Sequence, residues 1–318
     1  MNEAKSNMRI AGVDVSKPRL DVALHGAEPA TTLQVANTAH GHAELLAWLS
    51  AHSVGRVGLE ATGGYERGVI EALGAAGLEV VIHQPLEVRL FARIKRLRAK
   101  NDRIDARLIA LATAQVDTVK AAADSRLTEL AERLTAYEQA TDLTTLLKTQ
   151  MEHIRLPDLV ADARAQLAQL TARKARLLKD LLRRLRAWPD LTRRFDLVRS
   201  LPGVGPVVAL GLIVRMPELG AMTRGQAAAL IGVAPFDRDS GAHKGQRFIA
   251  GGRRRPRRLL YIAAMAARRC DPGFKIFSQR LVAAGKPPKV VIVAVMRKLI
   301  EAANLILKRQ QPWMPAIN

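Results

Sequence analysis

The sequence lacks the features of several protein classes. Cysteine occurs once, at Cys270, which excludes a disulfide framework and a zinc ribbon. The longest apolar runs, such as Val290–Val295, are far too short to span a bilayer. The first nine residues, MNEAKSNMR, lack the apolar core of a signal peptide. These absences predict a globular, cytoplasmic protein with no membrane partner.

The sequence also has few aromatic residues and, in its second half, few acids. Aromatic residues make up 4% of the chain, so base stacking is not expected to dominate any binding of nucleic acid. Residues 1–150 contain 18 basic and 18 acidic side chains, whereas residues 151–318 contain 32 basic and 11 acidic ones. The net charge of +21 therefore lies in the second half, which predicts a polyanionic partner held mainly through arginine–phosphate contacts.

Hydrophobic periodicity predicts two architectures along the chain. The first part alternates strand-like and helical segments after three initial strands, which is typical of an α/β fold with a mixed sheet. Residues 125–188 contain no glycine, and leucines recur at helical spacing, which predicts a coiled-coil hairpin broken near Pro157. One arm of a helical bundle is an equally good interpretation. The pattern predicts three domains, over residues 1–120, 121–195 and 196–318.

Four acidic residues stand out in the first of these domains. Asp14 and Glu60 fall in apolar, strand-like segments, where a carboxylate is unfavourable unless it has a partner. Asp102 and Asp105 are three residues apart, so one face of a predicted helix presents both. Converging carboxylates suit a hard cation such as Mg²⁺, and a pair of ions supports phosphoryl transfer. For each acid taken alone, an exposed strand end or helix cap is the alternative.

A serine in the second half is a candidate nucleophile. Ser240 lies in the polar loop DRDSGAHKGQR, close to Lys244 and Arg247. Cations beside a hydroxyl stabilise its alkoxide and bind a target phosphate. An ordinary polar turn is the alternative, because serine followed by glycine is common in turns.

Two further motifs are candidates for phosphate contacts. The segment LPGVGP places Gly203 and Gly205 before a predicted helix, where free backbone N–H groups bind anions; a tight turn between packed helices explains it equally well. Five of the six residues at 253–258 are arginine, and an apolar helix follows them. We expect this run to start a helix that grips a nucleic-acid backbone, with a solvated face or a localisation tag as the alternative. The arginines are Arg253, Arg254, Arg255, Arg257 and Arg258.

Taken together, these motifs resemble the DEDD-type insertion-sequence transposases, a group related to the pilin-gene invertase and described as bridge-RNA-guided recombinases. The matching blocks, which follow the family order over nearly the whole chain, are GVDVSK, LEATGGY, AKNDRIDAR, LPGVG and the loop that ends in DSG. One position departs from the pattern: Ala250 stands where family members often carry a basic residue before a glycine pair.

The resemblance implies an N-terminal RuvC-like domain of RNase H fold, a helical coiled-coil segment and a mostly α C-terminal transposase domain. It implies that two Mg²⁺ ions bind at Asp14, Glu60, Asp102 and Asp105, and that Ser240 joins a DNA end covalently. It also implies a homo-oligomer, a dimer or tetramer, whose composite sites combine different protomers. Donor DNA, target DNA and a structured bridge RNA would be its partners.

Two other functions stay open at this point. A RuvC-like Holliday-junction endonuclease would use the carboxylates and water, and it would need neither Ser240 nor a second basic domain. A non-catalytic nucleic-acid-binding protein with a degenerate nuclease fold would not need the four acids.

Overall fold

The chain folds into two compact units, an α/β unit within residues 1–122 and a helical unit within residues 123–318. The computed structural model describes residues 9–27, 29–96, 102–117, 124–236 and 247–314, without the side chains of residues 102–104. Over these ranges, no helix is both long and apolar enough to cross a membrane.

A five-stranded mixed sheet forms the centre of the α/β unit, in the order β3-β2-β1-β4-β5. The first three strands are antiparallel neighbours, whereas β4 is parallel to β1 and to β5. The sequence prediction of a mixed sheet is therefore confirmed. The strands are β1 (Arg9–Val15), β2 (Arg19–Leu24), β3 (Thr32–Ala36), β4 (Val54–Glu60) and β5 (Glu79–His83).

Helices cover both faces of this sheet. Helices α1 and α2 bury Leu45, Leu49 and Leu73 against Val13 and Leu59 on one face. Helix α4 packs on the opposite face, and α3 packs against α4. These helices are α1 (Ala39–Ala51), α2 (Arg67–Ala75), α3 (Pro85–Ile94) and α4 (Asp102–Ala114).

The helical unit surrounds a second core, in which Phe195, Leu210 and Leu299 are fully buried. A two-stranded ribbon, β6 (Pro235–Phe236) and β7 (Phe248–Ile249), lies between the ninth and tenth helices. The helices are α5 (Ser125–Met151), α6 (Pro157–Arg186), α7 (Pro189–Arg199), α8 (Pro206–Arg215), α9 (Arg224–Ile231), α10 (Arg254–Cys270), α11 (Pro272–Ala283) and α12 (Pro288–Arg309).

Helices α5 and α6 pack against each other, and the prediction that they form a coiled-coil hairpin stays a prediction. Pro157 is the first residue of α6, where its fixed φ angle and missing N–H suit a helix start. At the base of the pair, Leu134 and Leu185 are buried in the same core as the later helices. The boundary predicted between residues 195 and 196 stays a prediction.

Candidate active site

The carboxylates of Asp14 and Glu60 lie at neighbouring strand ends. Val13 of β1 is opposite Leu59 of β4, and the two acids follow these residues directly. Side chains alternate along a strand, so both acids project to the face opposite the buried Val13–Leu59 pair. Both side chains are half-buried.

Helix α4 packs on the face that carries these two acids. Gly12 and Gly58 each lie two residues before an acid, and the absence of a Cβ at both positions admits the helix. A Cβ on Gly12 would overlap the backbone of Ala106, and one on Gly58 would overlap the side chain of Thr113. Because Asp105 precedes Ala106, the same packing brings its half-buried carboxyl toward the strand acids. The sequence predicts that these acids share one cleft with Asp102, and this stays a prediction.

The pKa of Glu60 is affected by the charge of Asp105. Burial raises the pKa of the Glu60 carboxyl above its ordinary value, and the negative charge of Asp105 raises it further. The positive charge of Arg89, on α3, opposes this rise. Like charges that raise a pKa are a common feature of functional sites.

Sequence reasoning missed Asp21, which lies opposite Asp14 across the β1–β2 ladder. Its side chain is buried and accepts hydrogen bonds from Arg19 Nε at 3.1 Å and from Gln34 Nε2 at 2.6 Å. The signal was available, because Asp21 interrupts an apolar strand just as Asp14 does. Its fixed partners indicate that Asp21 positions the β1–β2 end of the site.

Two other residues that the sequence did not single out fix the loops after the strand acids. The Asn37 amide donates to the carbonyl oxygens of Ser16 at 2.9 Å and Tyr65 at 3.0 Å, and thereby joins the loops after β1 and β4. The Glu66 carboxylate accepts from the Thr62 hydroxyl at 2.6 Å and from the Gly64 N–H at 2.8 Å. The loop after Glu60 is therefore held by its own carboxylate.

The donor set at this site fits a divalent cation. Carboxylate oxygens are the preferred ligands of Mg²⁺. The pKa of Glu60 is raised mainly by burial and also by Asp105, and a cation bound there would favour the charged carboxylate. Among the side chains that the structure describes, no three Asp, Glu, His or Cys groups are close enough together to hold a metal ion. Asp102 begins α4, one turn before Asp105, but its side chain lies outside the described residues.

The candidate nucleophile also lies outside the described residues, as does Lys244. Ser240 falls within the eleven residues that separate β6 from β7 in the sequence. The base of this loop is described: Gly232 and Gly252 approach so closely that a Cβ on Gly252 would overlap the Gly232 backbone. Arg257 Nη1 donates to the carbonyl oxygens of Gly232 at 3.2 Å and Gly251 at 2.8 Å. This contact ties together the two chain segments that lead into and out of the loop.

Most of the arginine run is engaged by other parts of the helical unit. Arg253 forms an ion pair with Glu218 at 2.6 Å, and Arg258 forms one with Asp142 at 2.9 Å. Arg255 contacts Glu138 of α5 at 2.9 Å, and Arg215 contacts the same carboxylate at 2.9 Å. These arginines therefore fasten α10 to α5 and to the end of α8. Arg254 is exposed and forms no ion pair with a described residue, so it suits the predicted phosphate contact. Arg247 is exposed immediately before β7.

The LPGVGP motif forms the turn between α7 and α8. Gly203 has a positive φ of 74° and packs against the backbone of α10, where a Cβ would overlap Ala263. Gly205 caps α8, and a Cβ added there would point into open space. Packing thus accounts for Gly203, and the anion contact predicted at Gly205 stays a prediction.

Comparison with known proteins relates both units to one family. A DEDD-type IS110 transposase model matches residues 11–154, and a model described as "Transposase IS116/IS110/IS902 family" matches residues 195–279. The pilin gene-inverting protein of Moraxella bovis is 25% identical over 328 residues, which cover 95% of this chain and 96% of that protein. A 44.8 kDa uncharacterized protein of insertion element IS116 from Streptomyces clavuligerus is 34% identical over 119 residues, or 36% of this chain and 28% of that protein.

One solved structure is also similar to part of the chain. T. thermophilus RuvC in complex with a Holliday junction substrate is 19% identical, with a TM-score of 0.28, and the match covers 34% of this chain and 93% of RuvC. The two family models match segments of both the α/β unit and the helical unit, and the chain belongs to the IS110/IS116 family of transposases, enzymes that recombine DNA.

Proposed function

We propose that this transposase moves an insertion sequence through a covalent serine–DNA intermediate, assisted by the carboxylates of the α/β unit and guided by a structured bridge RNA. The observation that carries the proposal is the placement of Asp14, Glu60 and Asp105 at one end of the sheet. Clustered acids in a chain with a net charge of +21 suit chemistry on a polyanion.

The α/β unit is proposed to be a RuvC-like domain of RNase H fold. The support is the mixed sheet order β3-β2-β1-β4-β5 with acids at the ends of its adjacent central strands, which is the arrangement that this fold uses. Asp14, Glu60, Asp102 and Asp105 would hold Mg²⁺, as two ions. Bound there, the metal would supply charge neutralisation at a phosphodiester and at its leaving oxygen.

The protein's own groups have defined roles in this scheme. Glu60 acts in its deprotonated form, and Arg89 favours that form by opposing the effect of burial. Asp21, Asn37 and Glu66 hold the strand ends and their loops in position, so that the acids are arranged before DNA binds. Preorganised charge is the main source of catalysis in sites of this kind.

Ser240 would carry out strand exchange. Its hydroxyl oxygen attacks the phosphorus of a DNA phosphodiester and loses its proton, a seryl phosphodiester forms, and the displaced DNA oxygen takes up a proton and leaves as a hydroxyl end. The reverse step, with a different DNA hydroxyl as attacker, joins new ends and frees the serine. Bond energy is conserved, so resealing needs no external energy source. Arg257 would hold the base of the Ser240 loop.

The bridge RNA would recognise the DNA sequence. Base pairing with the RNA would select the DNA, so the protein needs arginines that contact phosphates more than side chains that read bases. The excess of 21 positive charges in residues 151–318 suits such phosphate contacts. The active assembly would be a dimer or tetramer with composite sites from different protomers, and a coiled coil of α5 and α6 would contribute to it.

The carboxylate site is tested by neutral isosteric substitutions. We expect Asp14→Asn, Glu60→Gln and Asp105→Asn each to lower recombination at least about a hundredfold, because replacing even residues that only support metal ligands reduces activity by 10–100-fold. Binding of DNA and RNA should persist. Glu44→Gln is the matched control, since Glu44 is exposed on α1, on the opposite face of the sheet. Recombination close to that of the control in two or more variants would contradict the proposed site.

A further inference from the structure

The helical unit contains a cavity of about 560 Å³ whose lining includes no residue of the arginine run. It opens between the start of α9, helix α11, helix α12 and the segment after α12. Its lining includes Phe274, Phe277 and Trp313. The chain has only twelve aromatic residues, so three in one cavity is a concentration that the composition does not predict.

The aromatic wall is held rigidly. The rings of Phe274 and Trp313 are stacked, with centroids 6.1 Å apart and an interplanar angle of 21°. The backbone N–H of Phe274 donates to Asp271 Oδ1 at 2.9 Å, and the backbone N–H of Trp313 donates to Ser200 Oγ at 2.7 Å. The indole Nε1 of Trp313 is buried and has no hydrogen-bond partner among the described residues. The cavity thus offers flat apolar surface formed by aromatic rings.

The rim of the cavity carries two cationic side chains. Neither Arg224 nor Lys298 forms an ion pair within the described part of the chain, and the Lys298 ammonium lies 5.8 Å from the Phe277 ring centroid. The two acids at the cavity are already engaged: Glu301 pairs with Arg297 at 2.9 Å, and Asp271 caps α11. An anionic group at the rim would therefore find two cations without competing with an acid.

We propose that this cavity binds an unstacked nucleobase of a nucleic-acid strand, with the adjoining phosphate on Arg224 and Lys298. A base offers a π face to the aromatic wall, and its phosphate lies one sugar away, where the cationic rim can bind it. This inference rests on the proposed function, since it assumes a nucleic-acid substrate, but it assigns a base contact in a protein whose phosphate contacts were expected to dominate.

Fluorescence of Trp313 provides a direct readout. The double substitution Trp48→Phe and Trp188→Phe leaves Trp313 as the one tryptophan of the chain. The probe is a single-stranded oligothymidylate with one central 2-aminopurine, titrated without Mg²⁺ and followed by Trp313 emission and by anisotropy of an end label. We expect Trp313 emission to change in parallel with binding of the strand.

Two substitutions identify the cavity as the site. Phe277→Leu keeps an apolar side chain but removes the ring, and we expect the strand to bind at least about fivefold more weakly, since base–aromatic stacking typically contributes a factor of about 5–150. Lys298→Ala should weaken binding more than Lys289→Ala, which removes an equal charge from an exposed position on the same helix. Thermal unfolding of each variant establishes that the fold is retained; if Phe277→Leu unfolds, Lys298→Ala against Lys289→Ala decides alone.

The other outcomes overturn the proposal. Strand binding that changes anisotropy but not Trp313 emission would place the nucleic acid elsewhere, and so would equal affinities of Lys298→Ala and Lys289→Ala. Binding of 2-aminopurine deoxyribonucleoside 5′-monophosphate as tightly as the strand would make the cavity a site for a free nucleotide. Because recombination is not measured here, a failed result leaves the carboxylate and serine chemistry to its own tests.

Discussion

At the scale of single residues, the Glu60 carboxyl lies where its surroundings disfavour its charged form. Burial and the neighbouring Asp105 raise its pKa in the folded protein, while Arg89 opposes the rise only in part. In the unfolded chain the carboxyl has its ordinary pKa, so the folded state binds a proton more readily. The stability that this group contributes is therefore present below its ordinary pKa and is lost as the pH rises through the raised value.

We therefore predict that Glu60→Gln stabilises the metal-free protein at pH 7 although it abolishes activity. The neutral amide removes an unfavourable charge, and the melting temperature should rise by about 1–2 °C, consistent with a fraction of 1 kcal/mol in a unit of this size. Below about pH 4, where the carboxyl is protonated in both states, the difference should vanish. Calorimetry at pH 7 and pH 3.5, with Glu44→Gln as control, measures this. A lower melting temperature at pH 7 would show that the folded state favours the Glu60 charge.

The acids of the site differ in how well the sequence predicts them. Asp14 and Glu60 were recognisable because each interrupts an apolar strand. Asp21 carries the same signal, but its importance follows from the β1–β2 register that places it opposite Asp14. Asn37 and Glu66 are ordinary loop and helix-start residues by pattern, and only the tertiary contacts show that they fix the two loops.

At the scale of elements, the short ribbon β6–β7 and Arg257 define the base of the Ser240 loop. The Arg257 guanidinium bonds carbonyl oxygens on both sides of the loop, so its position in the arginine run has a structural explanation beyond charge. Arg254, three residues earlier, is exposed and forms no ion pair with the described residues. Because the two arginines carry equal charge, comparing their alanine variants separates the effect of loop positioning from the effect of phosphate attraction.

We predict that Arg257→Ala lowers recombination at least about tenfold while nucleic-acid affinity stays within about twofold of that of Arg254→Ala. The substitution removes two hydrogen bonds from a charged donor. Each such bond stabilises the base of the loop by at most about 1.5–3 kcal/mol. Recombination and filter binding at matched salt concentrations measure the two effects. If both variants lost affinity and activity in the same proportion, Arg257 would be a phosphate contact like its neighbour.

Helix and strand positions were largely predictable, whereas the ribbon was not. The predicted order of three strands followed by alternating helices and strands is largely the order observed in the α/β unit, because these elements have clear periods of two or about 3.6. The break expected near Pro157 is a helix start. Strands β6 and β7 have two residues each, which is too short for any periodicity. Likewise, the aromatic cavity joins residues from distant parts of the chain that no local pattern connects.

At the scale of the whole molecule, one region of the helical unit lacks the excess of positive charge. Residues 143–170, at the turn between α5 and α6, contain three basic and three acidic side chains. Four leucines there are exposed by 49–60%. Copies of a strongly basic chain repel one another over most of the helical unit. The neutral, apolar surface at the turn between α5 and α6 is therefore where a second copy can associate. The exposed leucines are Leu143, Leu146, Leu156 and Leu159.

We predict that the double substitution Leu143→Gln and Leu146→Gln weakens self-association at least about tenfold. Burying one leucine side chain contributes about 1.5–3 kcal/mol, so two should exceed this threshold. Light scattering over a range of protein concentrations measures the dissociation constant. The control is Ile276→Gln with Val282→Gln, which removes two comparably exposed side chains from α11. Equal effects of the two pairs would assign the loss to general surface hydrophobicity.

The account as a whole requires the serine and the carboxylates to act in one reaction, and trapping of the covalent intermediate tests this most directly. Labelled donor DNA, bridge RNA and Mg²⁺ are incubated with the full chain, the mixture is denatured, and any protein–DNA adduct is mapped by mass spectrometry of its peptides. The account predicts an adduct on Ser240 that is absent from Ser240→Ala, greatly reduced in Glu60→Gln, and unaffected in Glu44→Gln. Cleaved DNA without an adduct, an adduct on another residue, or full recombination by Ser240→Ala would contradict it and favour a nuclease that uses only carboxylates and water.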